Sequence, residues 1–136
     1  MNEKEIDKFI ESQKTFTAQR KEYQKTKRAL KDVFLALPDK DYKKVTKNLI
    51  LSVLHKSALG QLIHINSIKG NFKILQLTIP ENIPLASLRH VIAHELGHAM
   101  QGRNWRTGDG MKLEESADKF AAKWGFPRTK WMKKHQ

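Results

Sequence analysis

His94-Glu95-Leu96-Gly97-His98, inside the stretch Arg89 to Gln101, has the residue types and spacing of a metal-assisted hydrolytic site. On a helix of ~3.6 residues per turn, positions i and i+4 share a face, so both imidazoles can reach one ion. Two neutral imidazoles make half of a tetrahedral zinc site. Glu95 points near the same ion, where a carboxylate can take the proton of a water and generate hydroxide at neutral pH. The chain has six His among 136 residues. Shuffling it would yield this pentapeptide in roughly 1–2% of cases, so the motif needs support from its context. Val91, Ile92, Leu96 and Ala99 supply a helical apolar face behind the histidines, and Gly97 has no side chain to crowd the ion.

A third ligand is available downstream. Leu113 to Trp124 reads as a helix with Leu113, Ala117, Phe120, Ala121 and Trp124 on one side. Glu114 and Asp118 stand at i and i+4, so both carboxylates project from one stripe. One can bind the metal while the other accepts the N–H of a ligating imidazole and fixes its tautomer. Without the upstream motif, two acids at this spacing would be an ordinary solvated face.

His94-Glu95-Leu96-Gly97-His98 followed by Glu114-x-x-Ala117-Asp118 resembles the glutamate-zincin (gluzincin) metallopeptidases. The wording looks most like the small ImmA/IrrE-type bacterial and phage peptidases, over about residues 85–125. The resemblance implies Zn2+ on His94, His98 and Glu114, with Glu95 as general base and Asp118 hydrogen-bonded behind a ligand. Glu115 is the fallback ligand, since a slip of one residue exchanges the two acids. A protein substrate such as a repressor, cut once, is also what the family likeness implies.

The elements that must position these residues follow from length and patterning. A chain of 136 residues supports a single core. It has no cysteine, which excludes disulfides and thiolate zinc sites. The polar start shows no signal peptide and no apolar run suits a membrane span, so a cytoplasmic protein is expected. The net charge is +12. Lys14, Arg20, Lys21, Lys25, Lys27, Arg28 and Lys31 cluster near the start, and Arg128, Lys130, Lys133 and Lys134 near the end. Such runs can neutralise phosphates or simply solubilise the surface. Few aromatics interleave with them, so base stacking is not suggested.

Residues 2–37 read as one long helix, or two with a bend, capped by Asn2 with Glu5 three residues on. Phe9, Phe16, Tyr23, Leu30 and Leu37 recur every seven residues, with Gln13, Arg20 and Lys27 weakening the seam. Pro38 ends that segment, and Asp39 or Asp41 can cap a second helix reaching about Lys56, closed by Gly60. Residues 61–67 and 72–79, around Lys69-Gly70-Asn71, predict a β-hairpin. Its edge could pair with an extended peptide substrate. His64 falls within the first strand and reads as structural. The active helix begins near Leu85 to Ser87 and ends at Gly102. His90 would make three histidines along about 12 Å of helix, too far for one ion, so it stands behind the ligands or faces solvent. The loop from Arg103 to Met111, with Trp105 and Gly108, offers Arg103 or Arg106 to an oxyanion or a substrate carboxylate. Asp109 reads as a turn residue, and His135 as a terminal histidine that could reach the site. Gly125 and Pro127 stop the last helix, leaving a basic tail from Arg128.

The expected fold is therefore α+β, a minimal zincin-like single domain. It comprises the helical segment 1–37, a catalytic core 38–127 and the tail 128–136. The expected function is a zinc metalloendopeptidase acting on a protein or peptide. The alternative is a basic nucleic-acid-associated or partner-docking phage or toxin-type protein, with its zinc site latent or structural.

Overall fold

In the computed structural model the described residues are 2–13, 21–54, 60–67, 70–78, 82–101 and 110–135. They form an α+β arrangement in the order α1 (Glu3–Glu11), α2 (Lys21–Ala36), α3 (Asp39–Thr46), β1 (Leu49–Leu54), β2 (Gly60–Ser67), β3 (Gly70–Thr78), α4 (Leu85–Gln101), α5 (Gly110–Lys123) and α6 (Lys130–His135). Helix α4 is the centre of the domain. It packs on α2, α3 and α5 and on strands β2 and β3. Ser87, Leu88, His90, Val91, Ile92, Ala93, Glu95, Leu96, Gly97 and Ala99 are all buried along it.

Of the two readings of residues 2–37, the one with two helices holds: α1 ends at Glu11 and α2 begins at Lys21. Asn2 caps α1 by accepting from the Glu5 amide at 2.8 Å, as its residue type favours. The chain then folds back, and α2 lies antiparallel to α1. Lys31 pairs with Glu3 at 2.5 Å and with Asp7 at 3.1 Å, while Lys27 pairs with Glu11 at 3.5 Å. The sevenfold apolar repeat concealed this because Ile6 and Ile10, not a continuous seam, enter the core with Leu30, Val33 and Phe34. Helix α1 is thus part of the scaffold. Lys25 donates to the Ile83 carbonyl, so three of the clustered basic residues are committed within the chain.

The second helix also ends earlier than the spacing predicts. Pro38 occupies its N-cap position, where neither Asp39 nor Asp41 serves as a side-chain cap; both lie in its first turn. Negative charge there favours the helix through its dipole. Asn48, with φ 56°, turns the chain from α3 into β1 in a left-handed conformation that Asn tolerates. Leu49 and Leu51 are buried while Ile50 is exposed, the period-two burial of a strand. Gly60, in turn, opens β2 and closes no helix.

The sheet order is β1-β3-β2. The hairpin is antiparallel, with Ser67 opposite Gly70 and Ile63 opposite Ile74. Strand β1 adds parallel to β3, with Leu51 beside Leu75, so the sheet is mixed and not wholly antiparallel. The outward amide of Leu51 on β1 donates to Gln13 at 3.1 Å. The other outer strand, β2, lies beside α4.

Lys73 is a buried exception on the core side of β3. Its ammonium donates to the Lys44 carbonyl at 2.6 Å, near the end of α3. Burial first, then Lys44 and Lys47, pull its pKa down to about 8. An unfolded lysine keeps its proton to about pH 10.4. Between those values the unfolded chain binds more protons, so stability should rise with pH across about 8–10.4, by on the order of 2 kcal/mol. Urea midpoints at pH 7.5 and 10 should differ in this sense for the wild type. Lys73→Met should flatten the difference.

The carboxyl-terminal stretch is not only a basic tail. Gly125, at φ 99°, ends α5. Its amide bonds Ala122 O at 3.0 Å and the Phe126 amide bonds Ala121 O at 2.8 Å, the paired bonds of a left-handed helix stop. Helix α6 follows and buries Met132. Among the described residues no helix is long and apolar enough to cross a membrane.

Candidate metal centre

Two helices build the site. Helix α4 presents His90, His94 and His98 at successive i+4 positions, and α5 presents Glu114 and Asp118 four residues apart. The helices run antiparallel, so the side chains interdigitate as His90, Asp118, His94, Glu114, His98. His94 Nε2 lies 2.8 Å from Glu114 Oε2, and His98 Nε2 lies 3.0 Å from Glu114 Oε1. On its other nitrogen, His94 Nδ1 is 2.6 Å from Asp118 Oδ1.

Gly97 makes the approach of the helices possible. Glycine inside a helix is unfavourable by about 0.5–1 kcal/mol relative to alanine. A Cβ here would sit 2.9 Å from the Ala117 carbonyl oxygen and 3.0 Å from Ala117 Cα. Both atoms belong to backbone, so α5 itself would have to move. The glycine thus makes room for α5, not for the ion. Ala117 and Ala121 are buried at the same interface. Gly97→Ala should destabilise the fold by about 1–3 kcal/mol despite its better helix propensity. It should also weaken metal binding, because Glu114 and Asp118 ride on the displaced helix. Thermal unfolding with and without zinc checks both effects.

The hydrogen bonds orient the imidazoles. Gln101 Nε2 donates to Leu113 O at 2.7 Å, which leaves Gln101 Oε1 as the acceptor facing His98 Nδ1 at 2.9 Å. His98 Nδ1 is therefore the donor. His94 Nδ1 likewise donates to the Asp118 carboxylate. With hydrogens on the Nδ1 atoms, neutral imidazoles would present their Nε2 lone pairs toward the two oxygens of Glu114. The two contacts are satisfied either by a hydrogen on each Nε2 or by one shared cation.

The donor set fits a divalent metal. The ligand atoms of His94, His98 and Glu114 all lie within 4.8 Å of one another. Tetrahedral zinc with bonds of about 2.0–2.1 Å places its ligand atoms about 3.3 Å apart. The same helices therefore need only small side-chain adjustments. The His94 and His98 side chains are 15% and 14% exposed, and that of Glu114 is 63% exposed. Glu114 is thus the exposed member of the set. Glu95 is buried at 8% exposure on the same helix, a quarter-turn from His94.

Of the residues singled out from sequence, His94, His98, Glu114 and Asp118 lie side by side, and Glu114, not Glu115, is the acid between the imidazoles. His90 is buried and faces Asp118 at 3.5 Å, not solvent. Burial draws its pKa below the usual imidazole value, against opposing influences from the Phe126 carbonyl and Asp118. Gln101 was not anticipated. Its position three residues after His98 was the available signal. Arg103, Trp105, Arg106, Gly108 and Asp109 lie outside the described residues. His64 lies in β2 opposite Lys73, and His135 in α6.

No family model, curated protein or solved structure matches the chain.

Proposed function

We propose that the protein is a zinc-dependent metallopeptidase of the gluzincin type. Support comes above all from the convergence of His94 Nε2, His98 Nε2 and the Glu114 carboxylate, with the outer nitrogens of both imidazoles already committed as donors. In this reading His94, His98 and Glu114 hold the zinc, Asp118 and Gln101 orient the two rings, and the zincin-like parts of the fold are α4, α5 and the strands beside α4.

When bound, zinc supplies Lewis acidity that polarises a carbonyl and acidifies water at the open position. Glu95 takes a proton from the attacking water and delivers it to the leaving amine nitrogen. Its burial limits competition from solvent for that proton. Asp118 holds the N–H of His94 throughout, which keeps Nε2 as the ligand atom and raises its basicity. The outer strand β2 offers its edge beside α4, where an extended peptide can be added as a further strand.

The test is cleavage of a pool of unstructured peptides by the zinc-loaded protein, with new amino termini identified by mass spectrometry. Cleavage should vanish on chelation and return with added zinc. A zinc-loaded protein that cleaves nothing in the pool counts against the peptidase reading. It would favour a site with a structural role.

A further inference from the structure

Lys40, Lys43, Lys44 and Lys47 stand at i, i+3, i+4 and i+7 along α3, and all four are exposed. At about 100° per residue they fall within an arc of about 100°. Tyr42 and Val45, both buried, occupy the opposite face, so the stripe is turned away from the core. Among the described residues none of the four makes an ion pair. Acids flank the stripe only at its edges. Asp39 and Glu5 line a recess with Lys43, which leaves Lys40, Lys44 and Lys47 as its centre. On the other flank, Asp41 Oδ2 accepts from Trp124 Nε1 at 3.1 Å.

A fifth cation lies behind it. The Lys73 ammonium donates to the Lys44 carbonyl at 2.6 Å, and after burial it is Lys44 and Lys47 that lower its pKa. Like charges are thus gathered at the end of α3. The sequence supplies nothing to offset them there, since residues 42–80 contain six Lys and no Asp or Glu.

We propose that α3 docks the protein on the phosphate backbone of a nucleic-acid duplex, with Lys40, Lys44 and Lys47 against the phosphates and Lys43 beside them. Ammonium groups held as separate point charges suit phosphate oxygens whatever the base sequence. Their binding also frees the condensed counterions of the duplex. A lipid surface fits less well, because an interfacial helix buries an apolar face in the membrane, and Tyr42 and Val45 already face the core. An acidic peptide lacks the fixed density of about one charge per 1.7 Å of duplex. A row of lysines along about 10 Å of helix can match that density. The proposal does not rest on the metal reading, and zinc should not alter the binding.

The test is fluorescence anisotropy of a labelled DNA duplex of arbitrary sequence with the full chain, across a range of salt and with or without chelator. Four phosphate contacts predict that log affinity falls against log salt with a slope of about −3.6. Lys40→Gln, Lys44→Gln and Lys47→Gln together should flatten that slope by about 2.7 and weaken binding about ten-fold or more. Glutamine is close to lysine in helix propensity, so thermal unfolding should be unchanged. Lys119→Gln, Lys130→Gln and Lys133→Gln together remove the same charge from exposed positions on α5 and α6. That control should stay within about three-fold of wild type. No duplex binding by the wild type at low salt, an equal loss in the control, or loss of binding on chelation would each overturn the proposal. Tighter binding to phosphatidylserine vesicles or to polyglutamate than to the duplex would overturn it as well.

Discussion

Glu95→Gln should leave zinc bound at wild-type stoichiometry and reduce peptide hydrolysis by about 10²–10⁴-fold, the usual contribution of a positioned general base. The amide is nearly the same size as the carboxylate but cannot take a proton from water. Glu95 does not belong to the converging donor set of His94, His98 and Glu114, so metal affinity should change little. Its burial in α4 also makes a near-isosteric replacement the informative choice, since alanine would open a cavity next to the site. The pair of readouts matters. Loss of turnover with zinc retained assigns Glu95 to proton transfer, whereas loss of both would place it among the groups that hold the metal. Full activity in Glu95→Gln would refute the proton-transfer role.

His94→Ala should remove both zinc and turnover. His94 contributes to both halves of the centre: Nε2 faces Glu114 at 2.8 Å and Nδ1 faces Asp118 at 2.6 Å. Partners outside a ligand set typically contribute about 10–100-fold to metal affinity, and loss of a ligand together with its orienting contact should exceed that. The side chain is 15% exposed and lies at the edge of the core, so the variant should still fold. Zinc supplies the control. At a free concentration of 100 times its dissociation constant, a ligand bound only by the folded state stabilises it by about 2.7 kcal/mol. Wild type should show that rise in melting temperature and His94→Ala should not.

The site was more legible in the sequence than the scaffold around it. Side chains at i and i+4 on a regular helix have a fixed relation, so the pairs His94/His98 and Glu114/Asp118 could each be placed on a face before any tertiary structure was known. Their meeting depends on Gly97 and Ala117, whose small size is visible in the sequence but whose apposition is tertiary. Gln101 has the same origin, since its value comes from the Leu113 carbonyl on the next helix. The scaffold was harder for a different reason. In 42–54 the apolar spacing fits a helix as well as a buried strand, and the left-handed Asn48 that separates α3 from β1 carries no strong local signal. The sevenfold repeat of residues 9–37 likewise does not distinguish one helix from two that fold back. Ion pairs from Lys27 and Lys31 to Glu3, Asp7 and Glu11 settle that question only in three dimensions.

The basic surface invites a nucleic-acid role, but Lys25, Lys27 and Lys31 have partners within the chain. Binding to DNA that is salt-sensitive and independent of zinc would support that separate role.

The most direct measurement is metal analysis of the purified protein after dialysis against trace zinc, with Glu114→Ala in parallel. The expected result is one zinc per wild-type chain and none retained by Glu114→Ala. A wild-type protein that holds no stoichiometric zinc, or a Glu114→Ala variant that holds it as tightly, would contradict a centre assembled from α4 and α5.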